Sequence, residues 1–149
     1  MRAQQNDDQY FRNELFDQLI AGNEFEVPNS LIDLEVRNRL QEIASDLQAR
    51  GIDPNNPELD WQDFSVKQKP LAEKAVKTTI LLDSIVKQEE LKETEEAVTE
   101  QIAQAAKAHD KSEKAIRAQM IKEGALERIR SSLRREKAVD FIKLHAKLK

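Results

Sequence analysis

Between Pro70 and Leu91 the apolar positions fall on two adjoining stripes rather than one. Leu71, Ala75, Thr79, Leu82 and Val86 recur at steps of four and three. Ala72, Val76 and Ile80 run beside them, and Leu81 and Ile85 widen the band. No strict period of two is present and the stretch is too long for an ordinary strand, so the pattern predicts a helix apolar on most of its circumference. Such a helix has to be covered by its neighbours. Pro70 suits its first turn, where a missing N–H has no partner to lose.

Upstream, Phe11, Leu15 and Leu19 are spaced four apart with Phe16 and Ile20 beside them, which predicts a first helix. Gly22-Asn23 supplies a left-handed stop. Asn23 to Pro28 reads as extended, because a residue before proline avoids the helical region. Phe25 and Val27 alternate with charges there and are expected to plug into the body. A second helix is expected from about Pro28 to Arg50, ended by Gly51. Its Ile32, Val36, Leu40, Ile43 and Leu47 form a narrow seam suited to one partner helix, with Leu31 and Leu34 off it. Gly51 to Pro57 is rich in turn residues. Glu58 to Phe64 begins the helix that leads to Pro70, where the ring predicts a kink or a break. The second helix and this segment then form an antiparallel hairpin.

Downstream, Leu91-Lys92-Glu93 is a short joint, and Thr94 to Ala108 is helical by propensity. Its apolar positions are mainly Val98, Ile102 and several alanines, so it can pack closely on a neighbour while burying little area. His109 to Ser112 reads as a turn with Ser112 as N-cap. A shorter helix carries Ile116, Met120 and Ile121 up to an interruption at Glu123-Gly124. The last helix holds Leu126, Ile129, Leu133, Val139, Ile142 and Ala146, with Phe141, Leu144 and Leu148. The expected fold is all-α: one helical domain over 1–149 with an elongated body and two projecting helical arms. The first arm covers about 28–70, the central helix about 70–91 and the second arm about 93–135.

Composition agrees with long helices: 35% of the 149 residues are charged, 39% are apolar, and there are three Gly and four Pro. Five Phe, one Trp and one Tyr are few for a compact core, which favours a thinly packed body. There is no cysteine, so no disulfide framework and no thiolate chemistry. The start of the chain lacks an apolar signal core and no run reaches a membrane span, so a soluble, cytoplasmic protein with no membrane partner is expected. Residues 111–149 hold 12 bases against 5 acids, within a net charge of −4. No aromatic residue interleaves the arginines for stacking on bases, which argues against nucleic acid as a partner. His109 and His145 lack a carboxylate three residues before them, and no H-E-x-x-H, G-x-S-x-G or Gly-rich phosphate loop occurs. Neither an enzyme, a metal site nor a cofactor is indicated.

Three stretches together resemble a known family. LFDQLIAGNEFEVPNSLIDLEVRNRL (15–40) is similar to the entry into the C-terminal domain of the bacterial trigger factors, with Val27, Pro28, Leu31, Ile32 and Glu35 matching its extended Val-Pro and following helix. AVKTTILLDSIVKQEELKETEEAV (75–98) resembles that family's hydrophobic helix, glutamate-leucine joint and acidic helix start. LRREKAVDFIKLHAKLK (133–149) resembles its closing helix, with Glu136, Lys137, Ala138 and Val139 as the shared core. The resemblance covers nearly the whole chain in order. It implies a body with two arms and a cradle between them that holds unfolded or nascent polypeptides without ATP. The family's ribosome-docking and prolyl-isomerase domains have no counterpart here, so contact with the ribosome is expected only through a missing N-terminal domain. The chain then reads as an excised C-terminal domain starting at Met1, or as a stand-alone version of one. Ala105, His109 and Ala118 fall where the family's second arm carries bulkier groups, implying weaker client contacts by that arm.

The residues by themselves point the same way. Burying one Leu, Ile, Phe or Met side chain is worth roughly 1.5–3 kcal/mol. Four to six such contacts could offset association costs and leave about 8 kcal/mol, a micromolar dissociation constant. The candidate client-binding set is Leu31, Leu34, Ile52, Trp61, Phe64, Ile116, Met120 and Ile121. For each the alternative is ordinary core or joint packing, and Trp61 is also placed to pin its loop. The alternative function is a helical protein–protein interaction or dimerisation module, for which self-association stays open.

Overall fold

The computed structural model describes the backbone of residues 2–147 and the side chains of residues 3–145. Met1, Leu148 and the side chain of Ala146 lie outside the described residues. Six helices follow one another: α1 (Arg2–Ala21), α2 (Asn29–Ala49), α3 (Trp61–Gln88), α4 (Glu95–Ala108), α5 (Glu113–Glu123) and α6 (Ala125–Lys147). Among the described residues there is no strand, so the fold is all-α. The chain divides into two compact units, Met1–Leu81 and Leu82–Lys149, with the division inside α3.

In the first unit the α2 seam works as its spacing predicts. Ile32 and Val36 are buried against Ala72 of α3, with Val27 and Leu40 packed on them. On α3 both expected stripes contribute to the core, with Ala72 of one and Leu82 of the other buried. Leu71 is 50% exposed whereas Ala72 is fully buried against Ile32 and Val36. Thr78 is buried too, and its hydroxyl donates to the Lys74 carbonyl at 2.8 Å, so no polar atom is stranded. Leu15 is the buried anchor of α1, and Asp17 meets Lys74 at 2.6 Å.

Pro70 neither starts nor breaks a helix. It lies inside α3, which begins nine residues earlier at Trp61. The Asp60 carboxylate accepts from the Asp63 N–H at 3.0 Å and caps that start. The helix loses one hydrogen bond, from residue 70 to the Val66 carbonyl, and continues.

Helix ends also depart from expectation. Gly22 does not take a left-handed conformation, and α1 ends instead with the Asn23 side-chain amide donating to the Leu19 carbonyl at 2.9 Å. Gly51 (φ 79°) does end α2, with the Ile52 N–H on the Leu47 carbonyl at 2.9 Å and the Gly51 N–H on the Gln48 carbonyl at 3.0 Å. The same paired bonds end α3 and α4, but there Glu90 and Asp110 occupy the left-handed position at φ 51°.

In the second unit α4, α5 and α6 pack on one another. Thr94 and Ser112 cap α4 and α5 by accepting from the Ala97 and Ala115 N–H groups at 3.2 Å. The apolar positions of α4 pack closely on their neighbours. Val98, Ile102 and Ala106 are all buried and, with Ile116, form the core on which Met120, Leu126 and Leu133 pack.

Candidate functional site

On α2, Leu31, Leu34, Glu35 and Asn38 follow the steps of three and four that line one helix face. That face lies one residue away from the buried seam of Ile32 and Val36. Opposite it α3 presents Ala75, Val76, Thr79 and Ile80. The eight residues enclose a groove of about 240 Å³ whose lining is mostly apolar. Ala75 and Thr79 are too short to fill the space between the helices, and Leu31 and Leu34 remain 41% and 49% exposed. The one carboxylate on the groove is already engaged: Arg39 Nε donates to Glu35 at 3.0 Å. What remains open to a ligand is mostly hydrocarbon, with Asn38 and Thr79 at the lining.

The predicted residues land in several places. Leu31 and Leu34 sit together in the groove. Ile52 is exposed in the turn after α2. Trp61 and Phe64 are half-buried and already engaged, the indole N–H donating to the Pro54 carbonyl at 3.0 Å and the rings meeting edge to face at 5.4 Å. Trp61 pins the loop. Ile116 is a core residue, 4% exposed, so it leaves the exposed set: its side chain closes the centre of the α4–α5 packing. Met120 is half-buried on that core and borders a smaller hollow of about 190 Å³ beside Ala105 and Ala125. Ile121, its neighbour in sequence, points outward and is 60% exposed.

Sequence reasoning missed the α3 side of the groove, because Ala75, Val76, Thr79 and Ile80 read as core. The signal was present in the double stripe, which is wider than a single seam helix can cover.

Three arginines of the basic C-terminal stretch are tied to carboxylates of the second unit. Arg130 pairs with Glu95 at 2.7 Å and Glu93 at 3.1 Å. Arg134 pairs with Glu127 at 2.7 Å and Glu93 at 3.4 Å, and Arg135 with Asp83 at 2.7 Å. A backbone N–H bond to its own carboxylate, with Arg130 and Arg134 beside it, holds the Glu93 carboxyl below the usual carboxylate range. Hydrogen bonds to Glu95 and Glu93 hold the Arg130 guanidinium above its ordinary value. His109 is exposed at the end of α4, and His145 lies against the Phe141 carbonyl at 2.8 Å. Among the described residues no group of three or more His, Asp or Glu side chains could hold a metal ion. Nor is any described helix long and apolar enough to cross a membrane.

The family model for the bacterial trigger factor protein (TF) C-terminus matches residues 1–143. The chain belongs to that family. It is 28% identical over 131 residues to the trigger factor of Solibacter usitatus, covering 88% of this chain and 31% of that protein. It is 29% identical over 132 residues to the trigger factor of Koribacter versatilis, covering 88% and 30%. Against the trigger factor of Syntrophotalea carbinolica it is 27% identical over 138 residues, covering 93% and 31%. The chain thus spans about a third of the length of these trigger factors. No solved structure matches it. Membership in the trigger factor family makes this a chaperone-related, all-α domain, and the α2–α3 groove is an open, mostly apolar surface on it.

Proposed function

We infer that this chain holds unfolded or nascent polypeptides by apolar contacts and without nucleotide, keeping them from aggregating while they fold. The observation that carries the reading is the α2–α3 groove, which leaves two leucines exposed over a mostly apolar floor in a trigger factor family member. Apolar burial has no directional demand, so such a surface accepts many sequences. A groove of this size takes only one or two side chains, each worth about 1.5–3 kcal/mol, which keeps binding weak and release fast. Glu35, locked to Arg39, adds no charge requirement.

The test is light scattering by a denatured, aggregation-prone protein diluted into buffer without ATP. A several-fold molar excess of the chain is expected to slow aggregation at least about twofold. The double variant Leu31→Ser and Leu34→Ser, checked for unchanged helix content, should lose half or more of that protection. Full retention by the variant would move the contact away from the groove. No protection by the wild-type chain, together with a mass that rises with concentration, would replace the reading by a dimerisation module.

A further inference from the structure

Packing quality changes along the α2–α3 hairpin. Near the base Ile32, Val36 and Ala72 are buried, whereas from residue 37 to residue 71 no side chain is. The seam residues Ile43 and Leu47 and the aromatic pair Trp61 and Phe64 are all only half-buried. The distal part is closed by local devices: the indole bond to Pro54, the edge-to-face ring contact and the Gly51 turn. Its polar link between the helices, Arg39 to Gln68, is long at 3.5 Å. Pro70 stands in α3 where the buried and unburied parts meet. It removes the hydrogen bond to the Val66 carbonyl, and Val66 and Leu71 on either side are both exposed, so packing does not brace that turn.

Helices in proteins draw most of their stability from packing, and segments with few buried contacts open below the global free energy. A proline removes one rung of the ladder through which melting of one helical segment couples to the next. The geometry points to a distal hairpin, residues about 37–69, that opens as a cooperative unit of its own while the base stays folded, with Pro70 as its boundary in α3. Opening uncovers an apolar strip of Ile43, Leu47, Trp61 and Phe64 that the closed hairpin half-covers. This does not depend on client holding and stands or falls separately.

The single tryptophan lies in the distal part, so its emission reports that part selectively. In a urea titration of the full chain, the Trp61 transition is expected at a midpoint roughly 1 M below the loss of far-UV circular dichroism. Hydrogen exchange below the global transition should be at least about tenfold faster at residues 41–49 and 62–69 than at residues 30–36 and 72–80. Pro70→Ala restores the missing N–H at an exposed position and should close at least half of the gap between the two midpoints. Coincident transitions, or uniform exchange along both helices, would overturn the proposal. A gap unchanged in Pro70→Ala would overturn the boundary at Pro70.

Discussion

Glu93 ties the joint after α3 to α6. It stands in the joint between α3 and α4 with its side chain 14% exposed, and its two oxygens meet Arg130 and Arg134 of α6. The carboxyl is held below its ordinary value, so the sign follows. The ionised form is favoured in the folded chain, its contribution is complete above the ordinary carboxylate value of 4.5, and it is lost as pH falls below that. Glu93→Gln should therefore lower the melting temperature at pH 7, and the gap to the wild type should narrow as the pH is taken from about 5 to 3. Thermal melts across that range check it; a gap that stays constant would show that the charge of Glu93 is irrelevant. Sequence reasoning saw only a short joint here. The partners lie 37 and 41 positions away, and nothing local announces them. Trp61 and Leu31 were more legible, because a lone indole beside a proline-rich loop and a leucine off a seam each have a local reason to sit where they do.

Among the elements, α4 departs furthest from its composition. Alanine, glutamate and glutamine dominate it, yet Val98 is fully buried, Ile102 is 1% exposed, and Ala106 joins them in the core. Small residues contribute little area themselves but let α5 and α6 come close enough to cover the large ones. Removing the Ile102 side chain to alanine should cost about 2–5 kcal/mol, as for other buried large-to-small changes. Ile121→Ala, one helix further on but exposed, should change stability by less than about 0.5 kcal/mol. Urea unfolding followed by circular dichroism separates the two, and similar losses would mean that Ile121 is covered in solution. In α3, helix type and extent of the apolar band were readable, but the identity of the buried row was not. Leu71 stayed exposed while Ala72 beside it packed on Ile32 and Val36, and what α2 brings opposite decides that.

At the scale of the whole molecule, charge is unevenly divided. Residues 1–81 carry 15 acids and 9 bases, and residues 82–149 carry 13 acids and 15 bases. The arginines that look most like a nucleic-acid face, Arg130, Arg134 and Arg135, are each paired with carboxylates of the second unit. Binding to single-stranded RNA at physiological salt is therefore expected to be no tighter than about 100 μM, the weak end of non-specific affinity. Fluorescence anisotropy at two salt concentrations tests it; micromolar affinity with a steep salt slope would restore the basic stretch as a binding surface. The open groove in the first unit, by contrast, is apolar and lacks a free carboxylate on its lining. Its accessible chemistry favours hydrocarbon over phosphate.

Helix type, the Ser112 cap, the glycine stop at Gly51, the α2 seam and the trigger factor resemblance all follow from neighbours within a turn or two, or from a pattern carried along the chain, and the amino-acid order suffices for them. Which side of each helix is covered is a different matter. Ile116 became core and Leu34 stayed exposed because burial depends on what another helix brings opposite, and two apolar residues of the same size look alike until the partner is in place. The groove exists for that reason: α3 offers more apolar surface than the α2 seam covers, and only packing in three dimensions leaves the remainder uncovered.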